Sequence, residues 1–252
     1  MTFDVAAEAY DRFMGRYSRS LAPQLADLAG VQAGQRALDV GCGPGALTAE
    51  LVARLGTDGV VAADPSEPFV EAARQRHPGV EVALAAAEDL PFGDAAFDVA
   101  LAQLVVHFMS DPVAGLAEMR RVTRDGGIVA ACVWDHAGGQ GPLSPFWRAV
   151  AQLDPEAPDE SGLPGAGEGQ LAALFDQAGL GDIEDDALWV HAEHATFAEW
   201  WEPYTLGVGP AGVYVAGLDA GARAELRERC RRLVGDGPSK LTMRAWAARG
   251  TA

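Results

Sequence analysis

The sequence predicts an α/β protein with a doubly wound, mostly parallel sheet of seven strands and helices on both faces. Short apolar runs alternate with helix-periodic segments over residues 31–134, a pattern typical of parallel strands that are buried on both faces. A chain of 252 residues, 49% of them hydrophobic, suffices for one large domain. We therefore predict a single domain (1–252) with an N-terminal helical cap (1–30), a ligand-binding core (31–135) and a segment that carries a lid and the last strands (136–252).

The individual elements follow from the period and the flanking residues of each run. Helices are predicted where apolar positions recur three or four residues apart, often after Asp or Pro. They are 4–30, with Pro23 opening a second helix, 45–55, 67–76, 111–122, 170–178, 197–204 and 218–234. Strands are predicted at 35–40, 59–63, 80–85, 97–102, 128–134, 183–192 and 241–247. The stretch 135–170 is rich in Gly and Pro and is expected to be a loop-rich cover.

Charge and cysteine content narrow the class of function. Lys and Arg number 19 and Asp and Glu number 36, so the formal net charge is −17. Nucleic-acid phosphates and anionic membrane surfaces are bound by basic residues, so neither is an expected partner. No apolar run reaches the roughly 20 residues of a membrane span, residues 1–5 lack the features of a signal peptide, and the cysteines have no metal-ligand spacing. We expect a cytoplasmic protein without a metal, as a monomer or homodimer.

A glycine-rich turn, Gly41-Cys42-Gly43-Pro44-Gly45, separates the first predicted strand from a helix. A backbone without Cβ atoms allows a ligand to come close, and the following helix directs its free N–H groups and positive dipole end to the same place. The spacing Gly41-x-Gly43-x-x-Ala46 loosely fits a dinucleotide-binding turn. An NAD(P)-dependent oxidoreductase is therefore one hypothesis, although the chain has no Tyr-x-x-x-Lys pair.

Acidic residues near three strand ends favour a different ligand. Asp39 lies inside the first strand, Asp64 ends the second, and the pair Glu88-Asp89 follows the third. Because the carboxyl ends of parallel strands meet at one edge of a sheet, these carboxylates are expected to surround one ligand. A compact molecule with a cationic amine near Asp39, a ribose diol on Asp64 and an adenine on Asp89, or on Glu88 instead, satisfies all of them.

On these motifs the chain resembles the class I S-adenosylmethionine-dependent methyltransferases, in the small-molecule group that includes ubiquinone- and menaquinone-type enzymes. The matching segments are YDRFMGRYS (10–18), LDVGCGPGALT (38–48), VVAADPS (60–66), 85–108 and 119–134. The resemblance implies a Rossmann-like fold, S-adenosyl-L-methionine as cofactor with S-adenosyl-L-homocysteine as product, and a small-molecule methyl acceptor. It implies cofactor binding by Asp39, Gly41, Gly43, Asp64, Glu88, Asp89 and Gln103. The predicted set also includes Tyr10, Arg16, Tyr17, Cys42, Pro65 and Ala87.

The implied reaction demands little acid–base machinery. Sulfonium is a good leaving group, so positioning and exclusion of water are expected to matter most. His107 is a candidate general base, and Asp135 with His136 is a second candidate; simple packing roles are the alternatives. Aromatic residues of the later segment are expected either to line the acceptor pocket or to form a small separate core: Trp147, Trp200, Trp201 and Tyr204. A non-catalytic protein that binds the cofactor as a scaffold is a third hypothesis.

Overall fold

The computed structural model describes residues 7–252, so the predicted helix start at 4–6 and the N-terminal residues 1–5 lie outside the described residues. The strands are β1 (Ala37–Val40), β2 (Val60–Asp64), β3 (Glu81–Leu84), β4 (Phe97–Gln103), β5 (Thr123–Trp134), β6 (Gly181–His194) and β7 (Ser239–Thr251). They form one sheet in the order β3-β2-β1-β4-β5-β7-β6. Neighbours among β1 to β5 are parallel, whereas β7 runs antiparallel to β5 and β6. The predicted mostly parallel, seven-stranded sheet is confirmed, with an antiparallel pair at one edge.

Helices flank the sheet throughout the described part of the chain. They are α1 (Ala7–Tyr10), α2 (Arg16–Leu28), α3 (Ala46–Leu55), α4 (Glu67–Arg76), α5 (Pro112–Val122), α6 (Ser144–Ala151), α7 (Gln170–Gln177), α8 (Phe197–Trp201), α9 (Gly209–Gly217) and α10 (Ala220–Val234). A π-helical turn, Asp11–Gly15, joins α1 to α2. None of the helices in residues 7–252 has both the length and the apolarity that a membrane crossing requires.

The core divides into two layers because successive side chains of a strand point to opposite faces of the sheet. In β1, Ala37 belongs to the layer that includes α2, α3 and the later helices α6 and α8 to α10, while Leu38 and Val40 belong to the layer with α5 and α7. Asp39 shares the face of Ala37 by the same alternation. Helices on both faces are thus confirmed, and a carboxylate enters an otherwise apolar layer.

Several elements differ from their predicted bounds. Pro23 lies inside α2 rather than opening a helix, because packing of the buried face of α2 outweighs the one lost backbone bond. β5 begins at Thr123 instead of at the predicted position 128, and the residues around Gly126 form a bulge within it, since Phe97 pairs with Thr123 and Val99 with Ile128. Helices α6 and α9 were not predicted, because Pro and Gly lower their intrinsic propensity and burial in the tertiary structure supplies the stability instead.

Candidate active site

A cavity of about 710 Å³ lies where the carboxyl ends of β1, β2 and β4 meet the N-terminal helices. This edge is where open parallel sheets bind ligands, and the volume is in the range of small-molecule sites. Ten of the thirteen predicted cofactor-binding residues line the cavity: Tyr10, Asp39, Gly41, Cys42, Gly43, Asp64, Pro65, Ala87, Glu88 and Gln103. The fold therefore brings together residues that are up to 93 positions apart in the chain.

The glycine turn requires glycine on conformational and steric grounds. Gly41 has φ of 67° and Gly45 has φ of 96°, values that side chains with a Cβ rarely adopt. A Cβ on Gly41 would also lie 2.5 Å from Cγ1 of Val105, and one on Gly45 would lie 2.5 Å from Nε2 of His77. The Gly41 N–H donates to the carbonyl of Ala63 at 2.7 Å. The turn is thus tied to the end of β2, and it leaves no room for a side chain at Gly41 and Gly45.

The N-terminus of α3 opens directly onto the cavity. Its N-cap residue, Gly45, has no side chain to accept a hydrogen bond, and the first helical residues, Ala46 and Leu47, line the cavity wall. The first N–H groups of a helix lack intrahelical partners and carry the positive end of its dipole. This wall therefore favours an anionic or hydrogen-bond-accepting part of a ligand.

Asp39 is a buried carboxyl group with one oxygen left for a ligand. The Thr48 hydroxyl donates to Asp39 Oδ2 at 2.6 Å, whereas Oδ1 is buried and has no hydrogen-bond partner among the described residues. Burial raises the pKa of Asp39 to about 7, against the smaller opposing effect of the Thr48 hydrogen bond. An unpaired buried carboxylate is costly, so a cationic ligand group at Oδ1 would relieve that cost.

Asp64 braces two turns at the end of β2. Its Oδ2 accepts the Gly43 N–H at 2.8 Å and its Oδ1 accepts the Ser66 N–H at 2.8 Å. Burial raises the pKa of Asp64, and these two backbone hydrogen bonds oppose the shift. Each carboxylate oxygen has a second lone-pair site. The side chain can therefore hold the glycine turn and still accept two hydroxyl groups from a ligand in the cavity.

The acidic pair after β3 divides its side chains between cavity and solvent. Glu88 lines the cavity, and its Oε1 accepts the N–H groups of Ser110 and Asp111 at 2.6 and 3.1 Å. Asp89 is exposed and does not belong to the cavity wall. The structure thus brings Glu88, rather than the first-choice adenine partner Asp89, to the candidate site.

The N-terminal helices contribute less to the cavity than predicted. Tyr10 lines the wall, but Arg16 and Tyr17 do not. Arg16 donates to His194 Nδ1 at 2.8 Å and to Glu199 at 3.3 Å, and the Tyr17 hydroxyl lies 3.3 Å from His194 Nε2. These long-range contacts tie α2 to β6 and α8 instead, which sequence spacing could not indicate.

Two other predicted cofactor-binding residues are buried in the cavity wall. Gln103 Nε2 donates to the carbonyl of Ser18 at 3.0 Å, while its Oε1 is buried without a partner among the described residues. Cys42 is buried, and burial raises the pKa of its thiol well above the usual value. Cys42 is therefore a neutral wall residue and not a reactive thiolate.

His107 lines a second, smaller cavity of about 30 Å³, which shares Tyr10, Leu104 and Phe108 with the main cavity. Leu104 has φ of 63°, a left-handed conformation that is uncommon for a residue with a Cβ and that clusters at functional sites. This conformation holds the Leu104 side chain between the two cavities. His107 thus lies next to the main cavity and not in its wall.

Asp135 and the later aromatic residues lie outside both cavity walls. The Asp135 carboxylate accepts the Gly138 N–H at 2.7 Å and two hydrogen bonds from Arg244 at 3.0 and 2.7 Å. Both oxygens of Asp135 therefore have a structural role. The aromatic residues pack on one another as a core instead of lining the acceptor pocket, for example Tyr204 stacked on Phe146 at 4.7 Å. They are Trp147, Trp200, Trp201 and Tyr204.

Several wall residues were not anticipated from the sequence. Ser18, Phe69, Phe108 and Met109 line the main cavity, and Thr48 holds the Asp39 carboxyl group from one helical turn into α3. A hydroxyl residue three positions after a glycine turn was a usable signal for Thr48. The apolar wall residues gave no such signal, because ordinary core positions look the same in sequence.

Comparisons with known proteins agree with this fold. Residues 38–131 match a family model described as a methyltransferase domain. The malonyl-[acyl-carrier protein] O-methyltransferase of Serratia marcescens is 33% identical over 150 residues, which are 57% of this chain and 58% of that protein. The demethylmenaquinone methyltransferase of Beutenbergia cavernae is 36% identical over 127 residues, 50% of this chain and 49% of that protein. Such matches cover 36% to 62% of the curated relatives' own lengths.

Solved structures share the whole fold. The phosphoethanolamine N-methyltransferase 2 of Haemonchus contortus, solved with S-adenosylhomocysteine, superposes with a TM-score of 0.59 at 18% identity, covering 98% of this chain and 57% of that chain. At that identity the likeness speaks for the fold alone. The matched domain includes the glycine turn, Asp64 and the acidic pair after β3. Residues 38–131 therefore match a methyltransferase domain, and the described chain has the fold of the solved methyltransferase structure.

Proposed function

We propose that the protein binds S-adenosylmethionine in the main cavity and transfers its methyl group to a small-molecule acceptor. The observation that carries the proposal is the convergence of Asp39, Asp64 and Glu88 with the glycine turn on one 710 Å³ cavity. Because these groups lie far apart in sequence, their meeting around a single space supports a ligand with several distinct polar parts.

The residues in the cavity fit the chemistry of each part of this cofactor. The free Oδ1 of Asp39 suits the ammonium group, the remaining lone pairs of Asp64 suit the ribose diol, and Glu88 suits the adenine amino group. No Lys or Arg is among the described residues of the cavity wall. We infer that the cofactor carboxylate meets the uncapped N–H groups at the start of α3 instead of Arg16.

The protein's part in the reaction is mainly positioning. When bound, the cofactor supplies a methyl group on a sulfonium, which is already activated for displacement. The glycine turn and the three carboxylates orient the cofactor, and Leu104 and Phe108 separate it from the second cavity. Orientation and exclusion of water are large sources of acceleration for such a displacement.

The acceptor is proposed to be a small molecule, covered by a lid from the segment 136–252, which also carries the strands β6 and β7. The acidic charge of the chain and the name of one relative, a demethylmenaquinone methyltransferase, support a small acceptor. No comparison supports an oxidoreductase. The single-domain organisation, a cytoplasmic location and a state as a monomer or homodimer stay predictions.

Calorimetry and turnover test the proposal separately. S-adenosylmethionine and S-adenosylhomocysteine are titrated into the protein, and a small-molecule library is then incubated with S-adenosylmethionine while S-adenosylhomocysteine release is measured. We expect micromolar binding of both ligands. Absence of binding at millimolar ligand would refute the function, and binding without turnover on any acceptor would favour the scaffold hypothesis.

A further inference from the structure

The second cavity collects buried polar atoms that nothing in the described chain satisfies. His107 Nδ1, His136 Nε2 and Trp134 Nε1 are all buried without a hydrogen-bond partner among the described residues, and all three residues line this cavity. The two imidazole rings lie 5.8 Å apart between centroids. Each unpaired buried polar group costs about 1–3 kcal/mol. Three such groups around one space indicate a site that is completed by a ligand.

The charge of the second cavity limits the kind of ligand group that fits. Burial, together with the neighbouring His136, keeps the pKa of His107 well below its usual value, and burial lowers the pKa of His136 to about 4. Both rings are therefore neutral at pH 7. No Lys or Arg is among the described residues of either cavity wall. Glu160 also lines this cavity; burial raises the pKa of its carboxyl group to about 7, and its Oε2 accepts the Trp147 indole N–H at 2.7 Å. A carboxylate or phosphate would therefore meet a buried acid and no cationic partner here.

Hydrogen-bonding capacity distinguishes among the remaining groups. A neutral imidazole nitrogen is either a donor or an acceptor, so two such rings can accept one hydrogen bond and donate another. A hydroxyl group both donates and accepts, and it matches this pair. An aliphatic ammonium group only donates, and a carboxylate only accepts. The Trp134 indole N–H adds a further donor.

The size of the second cavity determines how much of the acceptor it can take. Its volume of about 30 Å³ exceeds the roughly 10–15 Å³ that one water molecule requires and is too small for a ring. The side chains shared with the main cavity are Tyr10, Leu104 and Phe108, two of them aromatic. The body of the acceptor therefore lies against these side chains, and only its polar head enters.

We propose that the second cavity binds the hydroxyl group of an uncharged acceptor with an apolar, flat body, and that His107 Nδ1 and His136 Nε2 are its hydrogen-bond partners. This inference rests on the proposed function and names its acceptor class. The cofactor in the main cavity would supply the methyl group, and the two imidazole rings would fix the position of the acceptor's polar end by hydrogen bonds.

The test uses three small probes that differ in charge. Phenol, benzoate and benzylamine are titrated calorimetrically into the protein with and without S-adenosylhomocysteine. We expect phenol to bind at least tenfold more tightly than benzoate or benzylamine. His107→Phe should weaken phenol at least tenfold and leave S-adenosylhomocysteine within twofold. The matched control is His191→Phe, an exposed histidine on β6, which should change neither ligand.

A second measurement keeps the result interpretable if His107→Phe unfolds. Imidazole ¹⁵N chemical shifts of the wild type report the hydrogen bond at His107 directly, and His107→Asn replaces the ring with a smaller polar group. Phenol should shift the His107 Nδ1 resonance. Equal binding of benzoate, or an unchanged Nδ1 resonance at saturating phenol, would overturn the subsite. Failure of the wild type to bind S-adenosylhomocysteine would instead overturn the proposed function.

Discussion

Asp64→Asn should weaken binding of S-adenosylhomocysteine far more than it weakens the fold. The native carboxylate accepts the Gly43 and Ser66 N–H groups, each at 2.8 Å, and is proposed to accept the ribose hydroxyls as well. The side-chain amide of Asn retains one acceptor oxygen, but its NH₂ group faces the second of these backbone N–H donors. Hydrogen bonds to a charged group contribute about 1.5–3 kcal/mol, so the affinity should fall about 10- to 150-fold.

The free energy of unfolding should change less, because two effects oppose each other. Loss of one backbone hydrogen bond is destabilising, but removal of a buried carboxylate whose pKa is raised by burial is stabilising at neutral pH. The raised pKa means that ionisation of Asp64 lowers stability as pH rises from the unfolded pKa through the folded one. Asn removes that dependence, so urea denaturation at pH 7.5 should report a loss of at most about 1.5 kcal/mol.

Calorimetry with two ligands isolates the ribose contact from the bracing of the turn. S-adenosylhomocysteine and its 2′,3′-dideoxy analogue are titrated into the wild type, Asp64→Asn and the matched control Asp89→Asn, which changes an exposed carboxylate in the loop after β3 and outside the cavity. The wild type and the control should prefer the diol at least tenfold, and Asp64→Asn at most threefold. Equal preference in all three proteins would refute the ribose contact.

Three further outcomes follow from the same geometry. Gly41→Ala should lower the free energy of unfolding, measured by urea denaturation, by about 2–4 kcal/mol, since the new Cβ would meet Val105 at a φ of 67°. Adding Val105→Ala to the same chain should restore part of this free energy, and no restoration would contradict the clash. S-adenosylhomocysteine should bind more tightly at pH 8 than at pH 6, because Asp39, with a pKa of about 7, must ionise to pair with the ammonium group of the ligand. Calorimetry of Asp39→Asn should show no such pH dependence. Asp135→Ala should lower the free energy of unfolding, measured by urea denaturation, by about 3–5 kcal/mol, because it leaves Arg244 without its carboxylate partner. An unchanged denaturation midpoint would argue against a structural role of Asp135.

The parallel half of the fold was predictable because its signals are local. Each of the first five strands is a short apolar run next to a turn, and a strand buried on both faces needs little else. The Asp111-Pro112 opening of α5 was equally readable, and the Asp111 side chain caps the Ala114 N–H at 3.0 Å. Helices α6 and α9 were missed because tertiary burial, rather than local propensity, stabilises them.

The candidate site was predictable to the same extent as the parallel half of the fold. Asp39, Asp64 and the glycines occupy positions that strand ends and turn chemistry dictate, so spacing along the chain sufficed to bring them to one edge. Glu88 and Asp89 differ by one position, and only the path of the loop after β3 directs Glu88 to the cavity. Arg16 was expected at the cofactor, but its partner His194 lies 178 residues away.

Local sequence thus specified the sheet, the glycine turn and the carboxylates of the proposed cofactor site, because strand burial and turn geometry depend on neighbours a few residues apart. Tertiary structure decided which side chains face the cavities. The pairing of His107 with His136, the engagement of Asp135 by Arg244 and the separation of the two cavities by Leu104 all depend on how distant segments pack. Hydrogen-bond partners and burial across such distances arise only when the chain is folded, and they determine which buried groups are left to meet a ligand.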